Sequence, residues 1–286
     1  MTAQEVIFFT PKDKSKWEAA LNESLRRVIL SLPFEPNYQD IKDKNALITS
    51  LFLQKIPVIL FNLFAEERNL KIENHETLFW LKTDWDFKYE KWVIRIVNQT
   101  VNSGINLSSE QYLFLPALIP NRFEGDTWDQ IQEIPKGMDG NMAVFTFMTD
   151  SKNFGIPAIE ISTSILDFLD AVAKKYGEYQ AEVEPFSQDD FWVALAKKGE
   201  LPQISVSKIP TLVITGAARN SEFKFFADTD DKTHHGYRLY QGEWYEIQSS
   251  GGLSFCNGLI KTQIKNATCP IQALVSIESI FPKGNQ

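Results

Sequence analysis

The chain has 286 residues, 43% of them hydrophobic and 13% aromatic, which is enough to build a substantial core and excludes an intrinsically disordered polymer. Its 37 acidic residues outnumber its 29 basic ones, so the formal charge of −8 opposes a phosphate backbone, and the only dense basic step is Arg26-Arg27. Nucleic-acid binding is therefore disfavoured by the overall field, unless a metal ion bridges the two.

Val6 to Phe9 reads as a short strand closed by Thr10-Pro11. The N-terminus lacks a basic region and a long apolar run, so a cytoplasmic location is expected. Ser15 and Glu18 have capping-box spacing. Trp17, Leu21, Leu25, Val28, Ile29 and Leu32 then recur on one helical face until Pro33 stops the run. Two further helical segments follow, Ala46 to Gln54 and Pro57 to Glu67, with Pro57 suited to the first turn of the second. The longest apolar stretch, Leu51 to Ala65, is broken by Gln54, Lys55, Pro57 and Asn62 and reads as buried helix, with no membrane span.

From Glu76 the pattern turns to strand: Leu78 to Leu81 and Trp92 to Val97 predict a hairpin, and Tyr112 to Leu115 a third strand, with Pro116 and Pro120 marking an edge. Asn121 to Asn141 reads as a long connection. Met142 to Met148 and Ile156 to Ile161 predict strands. Ser162-Thr163-Ser164 caps a helix with apolar positions from Ile165 to Ala173, ended by Gly177, and Ser187 with Asp190 starts another over Asp189 to Lys198, closed by Gly199. Thereafter only strands are expected: Thr211 to Thr215, Glu222 to Ala227, and a hairpin of Tyr237 to Tyr240 with Trp244 to Ile247 about Gln241-Gly242, then Phe255 to Lys265 and Ala273 to Ile280. The expected class is α+β, with a helical N-terminal third, a central mixed α/β region and a C-terminal antiparallel β-meander. Its divisions are 1–120, helices plus a β-hairpin; 121–141, the connection; and 142–286, an α+β region ending in antiparallel sheet.

The densest cluster of titratable residues is Asp228-Thr-Asp230-Asp231-Lys-Thr-His234-His235, a strand-to-strand connection. Carboxylate and imidazole together suit a borderline divalent cation, which makes Asp228, Asp230, His234 and His235 the candidate metal ligands. Adjacent histidines diverge on an extended backbone, and polar residues also shape ordinary solvated loops. Asp84-Trp-Asp86-Phe-Lys88 contains the Asp-x-Lys skeleton of metal-dependent nucleases, a pattern so short that chance supplies it often. Cys256 and Cys269 fit no zinc or redox motif and are expected to be buried free thiols, and His75 is expected to be a solvated residue.

No nucleophile elbow or phosphate-cradling glycine loop is present in the sequence. The leading expectation is a non-enzymatic interaction protein with a protein partner, Tyr237, Tyr240, Trp244 and Tyr245 forming the partner surface, and with no cofactor. The alternative is a metal-dependent hydrolase or nuclease centred on Asp228 to His235, with a bound divalent metal.

Overall fold

In the computed structural model, the described residues are 1–74, 85–101, 107–121, 138–149, 158–176, 187–219, 222, 227–228, 237–240, 243–246, 253–255, 260–262 and 265–282. In chain order the elements are β1 (Ile7–Phe9), α1 (Lys14–Ser31), α2 (Lys44–Glu67), β2 (Glu73–Asn74), β3 (Phe87–Tyr89), β4 (Trp92–Thr100), α3 (Ser109–Leu113), β5 (Pro116–Asn121) and β6 (Gly140–Thr149). There follow α4 (Thr163–Tyr176), α5 (Gln188–Ala196), β7 (Thr211–Arg219), β8 (Ala227–Asp228), β9 (Tyr237–Tyr240), β10 (Glu243–Glu246), β11 (Leu253–Phe255), β12 (Ile260–Thr262), β13 (Lys265–Pro270) and α6 (Ile277–Ile280).

Six strands form a mixed sheet in the order β1-β7-β6-β4-β3-β2, in which β4 and β6 run parallel and the other neighbours antiparallel. Both faces of its centre are covered. Ile94, Ile96, Val144, Leu212 and Ile214 share a core with the helices, while Val97, Phe145, Phe147 and Val213 share another with Tyr112, Leu118 and Leu274. A sheet covered twice needs near-continuous apolar strands, and β6 is buried from Asn141 to Met148. The chain is thus α+β, built on a curled mixed sheet.

The expected layout is corrected at both ends. The helical front contains β1, which pairs with β7 two hundred residues on, Ile7 opposite Ile214. In the last third the described strands do not follow one another as a meander: β7 joins the central sheet, β13 lies between β5 and β8, and β9–β10 and β11–β12 are two-stranded. The predicted strand from Ala273 to Ile280 is instead a 3-10 turn followed by α6, whose N-cap Ser276 accepts from Ser279 N–H at 3.2 Å. Alternation identifies a strand without identifying its neighbour, which depends on which apolar faces remain to be covered.

Several elements differ locally. The N-cap of α1 is Asp13, whose carboxylate accepts from Ser15 and Lys16 N–H. The two expected helices over 46–67 are one, and Pro57 lies inside it. An interior proline costs about 3 kcal/mol. Ile56, Ile59, Leu60, Phe61, Leu63 and Phe64 are all buried around it, each contributing roughly 2 kcal/mol, so burial outweighs the kink. Among the described residues α2 alone is long and apolar enough to cross a membrane by length and composition, but in the fold this half of it is enclosed by core. Tyr112 lies in α3 because Ser108 and Gln111 form a reciprocal capping box. β5 follows, an edge strand that tolerates Pro116 and Pro120. Among the described residues Ile159 and Ile161 pair with no strand; their N–H groups donate to Thr49 Oγ1 and Asn45 Oδ1 on α2, both at 3.1 Å.

The register of β7 breaks once. Phe145 faces Gly216 and Thr146 faces Ile214, so Thr215 and Gly216 form a bulge. The extra residue inverts the alternation: Leu212 and Ile214 face the helices, and past the bulge Ala217 does so. Gly216 has φ 132°, a region open to glycine. It also admits the C-terminal segment, since Ala217 and Val275 exchange two backbone hydrogen bonds of 2.9 Å. A Cβ at Gly216 would stand 2.9 Å from both Leu274 Cβ and Val275 O. Gly216→Ala is expected to cost about 3 kcal/mol in urea unfolding through combined strain and overlap. A loss under about 0.5 kcal/mol would show that the bulge relaxes freely.

Candidate functional site

The predicted metal loop begins at the outer strand of the three-stranded sheet. Asp228 ends β8 opposite Ala267 of β13, so the loop leaves from a sheet edge. Of Asp228 only the backbone is described; Asp230, His234 and His235 lie outside the described residues, as do His75, Asp84 and Cys256. Among the described residues, no group of three or more His, Cys, Asp or Glu converges to hold a metal ion.

The proposed aromatic surface lies on the expected hairpin. Leu239 is opposite Trp244 and Tyr237 opposite Glu246, while Arg238 is opposite Tyr245 and Tyr240 opposite Glu243. Alternation along a strand therefore divides the four aromatics: Tyr237 and Trp244 belong to one face of the ribbon, Tyr240 and Tyr245 to the other.

Asp86 of the nuclease-like pattern has a structural task. Its N–H donates to the Ile94 carbonyl at 2.7 Å and its Oδ2 accepts from Ile96 N–H at 2.8 Å, so the side chain prolongs the β3–β4 ladder by one rung. Burial raises its pKa above the ordinary aspartate value, opposed by the Lys55 charge, the Ile96 hydrogen bond and the Arg95 charge. The neighbouring Lys88 ammonium lies 5.3 Å from the Trp85 ring centroid. Both residues are thus held by neighbours within the sheet and its entry. Cys269 is 5% exposed, and burial, with Glu222 nearby, pushes its thiol up to about 12.

Two features escaped the sequence. The first is an apolar rim at β1: Phe8 is 45% exposed and meets the buried Tyr112 ring edge-on at 5.6 Å, and Phe114, 61% exposed, stands at the end of the same short α3. The second is a cleft of ≈ 270 Å³ where the β3–β4 turn meets the chain's C-terminal segment. The sheet supplies Tyr89, Glu90, Trp92 and the paired Met142 and Arg219, and the segment around α6 supplies Ser279, Ile280 and Pro282. Its residues span nearly two hundred positions in sequence, so no local motif could have announced it.

No family model matches this chain, and comparisons with curated proteins and with solved structures find no match either.

The raised Asp86 pKa has a definite sign in stability. Between the unfolded aspartate pKa of about 3.9 and the folded value, the folded protein retains a proton that the unfolded chain has released. Stability therefore falls as pH rises through that window, and this contribution is constant above it. Asp86→Asn keeps an oxygen for Ile96 and cannot ionise, so its unfolding free energy is expected to decline less over the window than that of wild type. Equal slopes in denaturant titrations across pH would refute this. For Cys269, maleimide labelling of the native protein at pH 8 with peptide mapping is expected to run at least ~100-fold slower than after unfolding, because the thiolate is the nucleophile.

Proposed function

We propose that the chain is a non-enzymatic binding protein that takes a protein partner on the rim around Phe8 and Phe114. Carrying this reading is the exposure of Phe8, whose ring meets Tyr112 of α3 edge-on, and of Phe114, the C-cap residue of that same helix. Single exposed apolar residues are ordinary, whereas two exposed aromatics on adjoining elements are what an interface is enriched in. Exposed Glu110 and Gln111 supply polar neighbours, as the periphery of an interface requires. β1 is also the last strand of its sheet, so an extended apolar segment of the partner can add along it through main-chain hydrogen bonds. The β9–β10 ribbon is a second candidate surface, and its register allows only half of its four aromatics to meet one partner.

The test compares proteins captured by the intact chain, by Phe8→Ser/Phe114→Ser, by Tyr237→Ala/Trp244→Ala and by Tyr240→Ala/Tyr245→Ala, with folding of each checked by circular dichroism. The rim variant is expected to lose a specific partner with at least a tenfold fall in affinity, measured on the purified pair. Retention of every partner by that variant, with loss in one ribbon pair, would move the surface to β9–β10. Retention by all three variants would overturn the reading.

A further inference from the structure

The cleft at the other end of β7 has a different chemistry from the rim. The half-buried rings of Tyr89 and Trp92 bring aromatic surface to it, while Met142, 1% exposed, and Ile280, 8% exposed, form its floor and offer little surface of their own. Tyr89 is fixed edge-on against Phe281 at 4.7 Å. Trp92 opens β4 and Arg219 closes β7, separated in the sheet by β6, and the guanidinium carbon of Arg219 stands 5.3 Å from the Trp92 ring centroid.

The charge state of Arg219 makes this arrangement informative. Among the described residues, no carboxylate forms an ion pair with its guanidinium; the Glu222 carboxylate accepts instead from the backbone N–H of Arg219 at 2.7 Å. A guanidinium oriented by an aromatic face retains in-plane donors for a carboxylate. The volume, ≈ 270 Å³, lies just below the usual range for ligand pockets and suits one hydrophobic side chain with an acid group. Glu90 stands in the β3–β4 turn with φ 52° and adds negative charge to the cleft, which disfavours di- and triphosphates.

We infer that this cleft is a binding site for a small carboxylate bearing an aromatic group, with Arg219 as the anion anchor and the rings of Tyr89 and Trp92 as the seat. Two sources share that chemistry: a free hydrophobic amino acid, whose ammonium would meet Glu90, and an acid without an ammonium, such as the last residue of a peptide. The site is independent of the rim, since Val213, the β7 partner of Phe8, precedes Arg219 by six residues, roughly 20 Å of strand.

The probes are 3-phenylpropionate, L-phenylalanine, N-acetyl-phenylalanine and 2-phenylethylamine, titrated into the full chain by calorimetry and ligand-observed NMR. 3-Phenylpropionate is expected to bind with a Kd of about 1 mM, as suits so small a ligand, and the amine not to bind. Arg219→Gln is expected to weaken the acid at least tenfold, Arg219→Lys to retain part of the binding, and Trp92→Leu to weaken it, at melting temperatures close to wild type. L-Phenylalanine binding more tightly than 3-phenylpropionate, with the advantage lost in Glu90→Gln, identifies a free amino acid. N-Acetyl-phenylalanine binding more tightly identifies a peptide terminus. No binding by any acid at about 10 mM, equal binding of the amine, or unchanged affinity in a folded Arg219→Gln would overturn the site.

Discussion

The rest of the structure depends on the pairing of β6 and β7 in a sheet buried on both faces. With no water at either face, every polar group there needs a partner within the protein. The strains of that requirement gather at the bulge. Thr215 Oγ1 donates to the Phe145 carbonyl at 3.1 Å, and Thr146 Oγ1 donates to Asn98 Oδ1 at 3.1 Å, so the two buried threonines beside the register break are satisfied. The bulge also restores the apolar alternation it interrupts, which keeps Ala217 toward the helical core and Ala218 toward the other. One extra residue thus lets both layers remain packed while a third segment, 274–275, approaches β7 closely.

The same accounting explains how extended segments outside the sheet are held. Asn22 of α1 donates through Nδ2 to the Ile204 carbonyl at 2.9 Å and accepts through Oδ1 from Ile204 N–H at 2.8 Å, a bidentate pairing that imitates a strand neighbour. Glu18, one turn earlier, accepts from Val206 N–H at 3.2 Å and from the Ser205 hydroxyl at 3.1 Å, which together lower its pKa. Asn45 and Thr49 of α2 do the same for Ile161 and Ile159. Side chains on helices therefore take the place of ladder partners, and stretches rich in isoleucine remain extended without joining a sheet. At the entry to α2, Tyr38 Oη donates to Asp170 Oδ1 at 2.9 Å and the Lys44 ammonium meets the same oxygen, which ties the helix start to α4.

These particulars also mark what the sequence could disclose. The buried face of α1 was legible because Trp17, Leu21, Leu25, Val28, Ile29 and Leu32 repeat at helical spacing against a single core. The β9–β10 hairpin was legible from its turn residues. Pro57 misled because its local cost is visible in sequence whereas the burial that offsets it comes from α1, β3, β4 and β7. Of the expected strand 156–161, Ile156 lies outside the described residues, and Ile159 and Ile161 misled because alternation is the same whether an N–H meets a strand or a helix side chain. Two helix-start signals, Ser108 with Gln111 three residues on and Ser276 as an N-cap, stand where strands are expected. Of the candidate site, Asp86 was noticed as chemistry, and its place as a ladder rung depends on Ile94 and Ile96 across the turn. Arg219 and Trp92 meet only through strand order.

The bulge finally links the fold to the cleft. By admitting Leu274 and Val275 against β7, Gly216 sets the position at which the chain turns through Ser276 into α6. That helix and the residue after it carry Ile280 to the cleft and Phe281 against Tyr89 and Phe61. The cleft is therefore closed by a segment whose register is set by the backbone conformation of Gly216, three residues before Arg219 on the same strand. Elements fixed by main-chain hydrogen bonds position a guanidinium more precisely than a loop does, which is what recognition of a small acid requires. The rim at β1 is built otherwise, from side chains that the packing leaves outward, and such a surface suits a partner that supplies its own complementary shape.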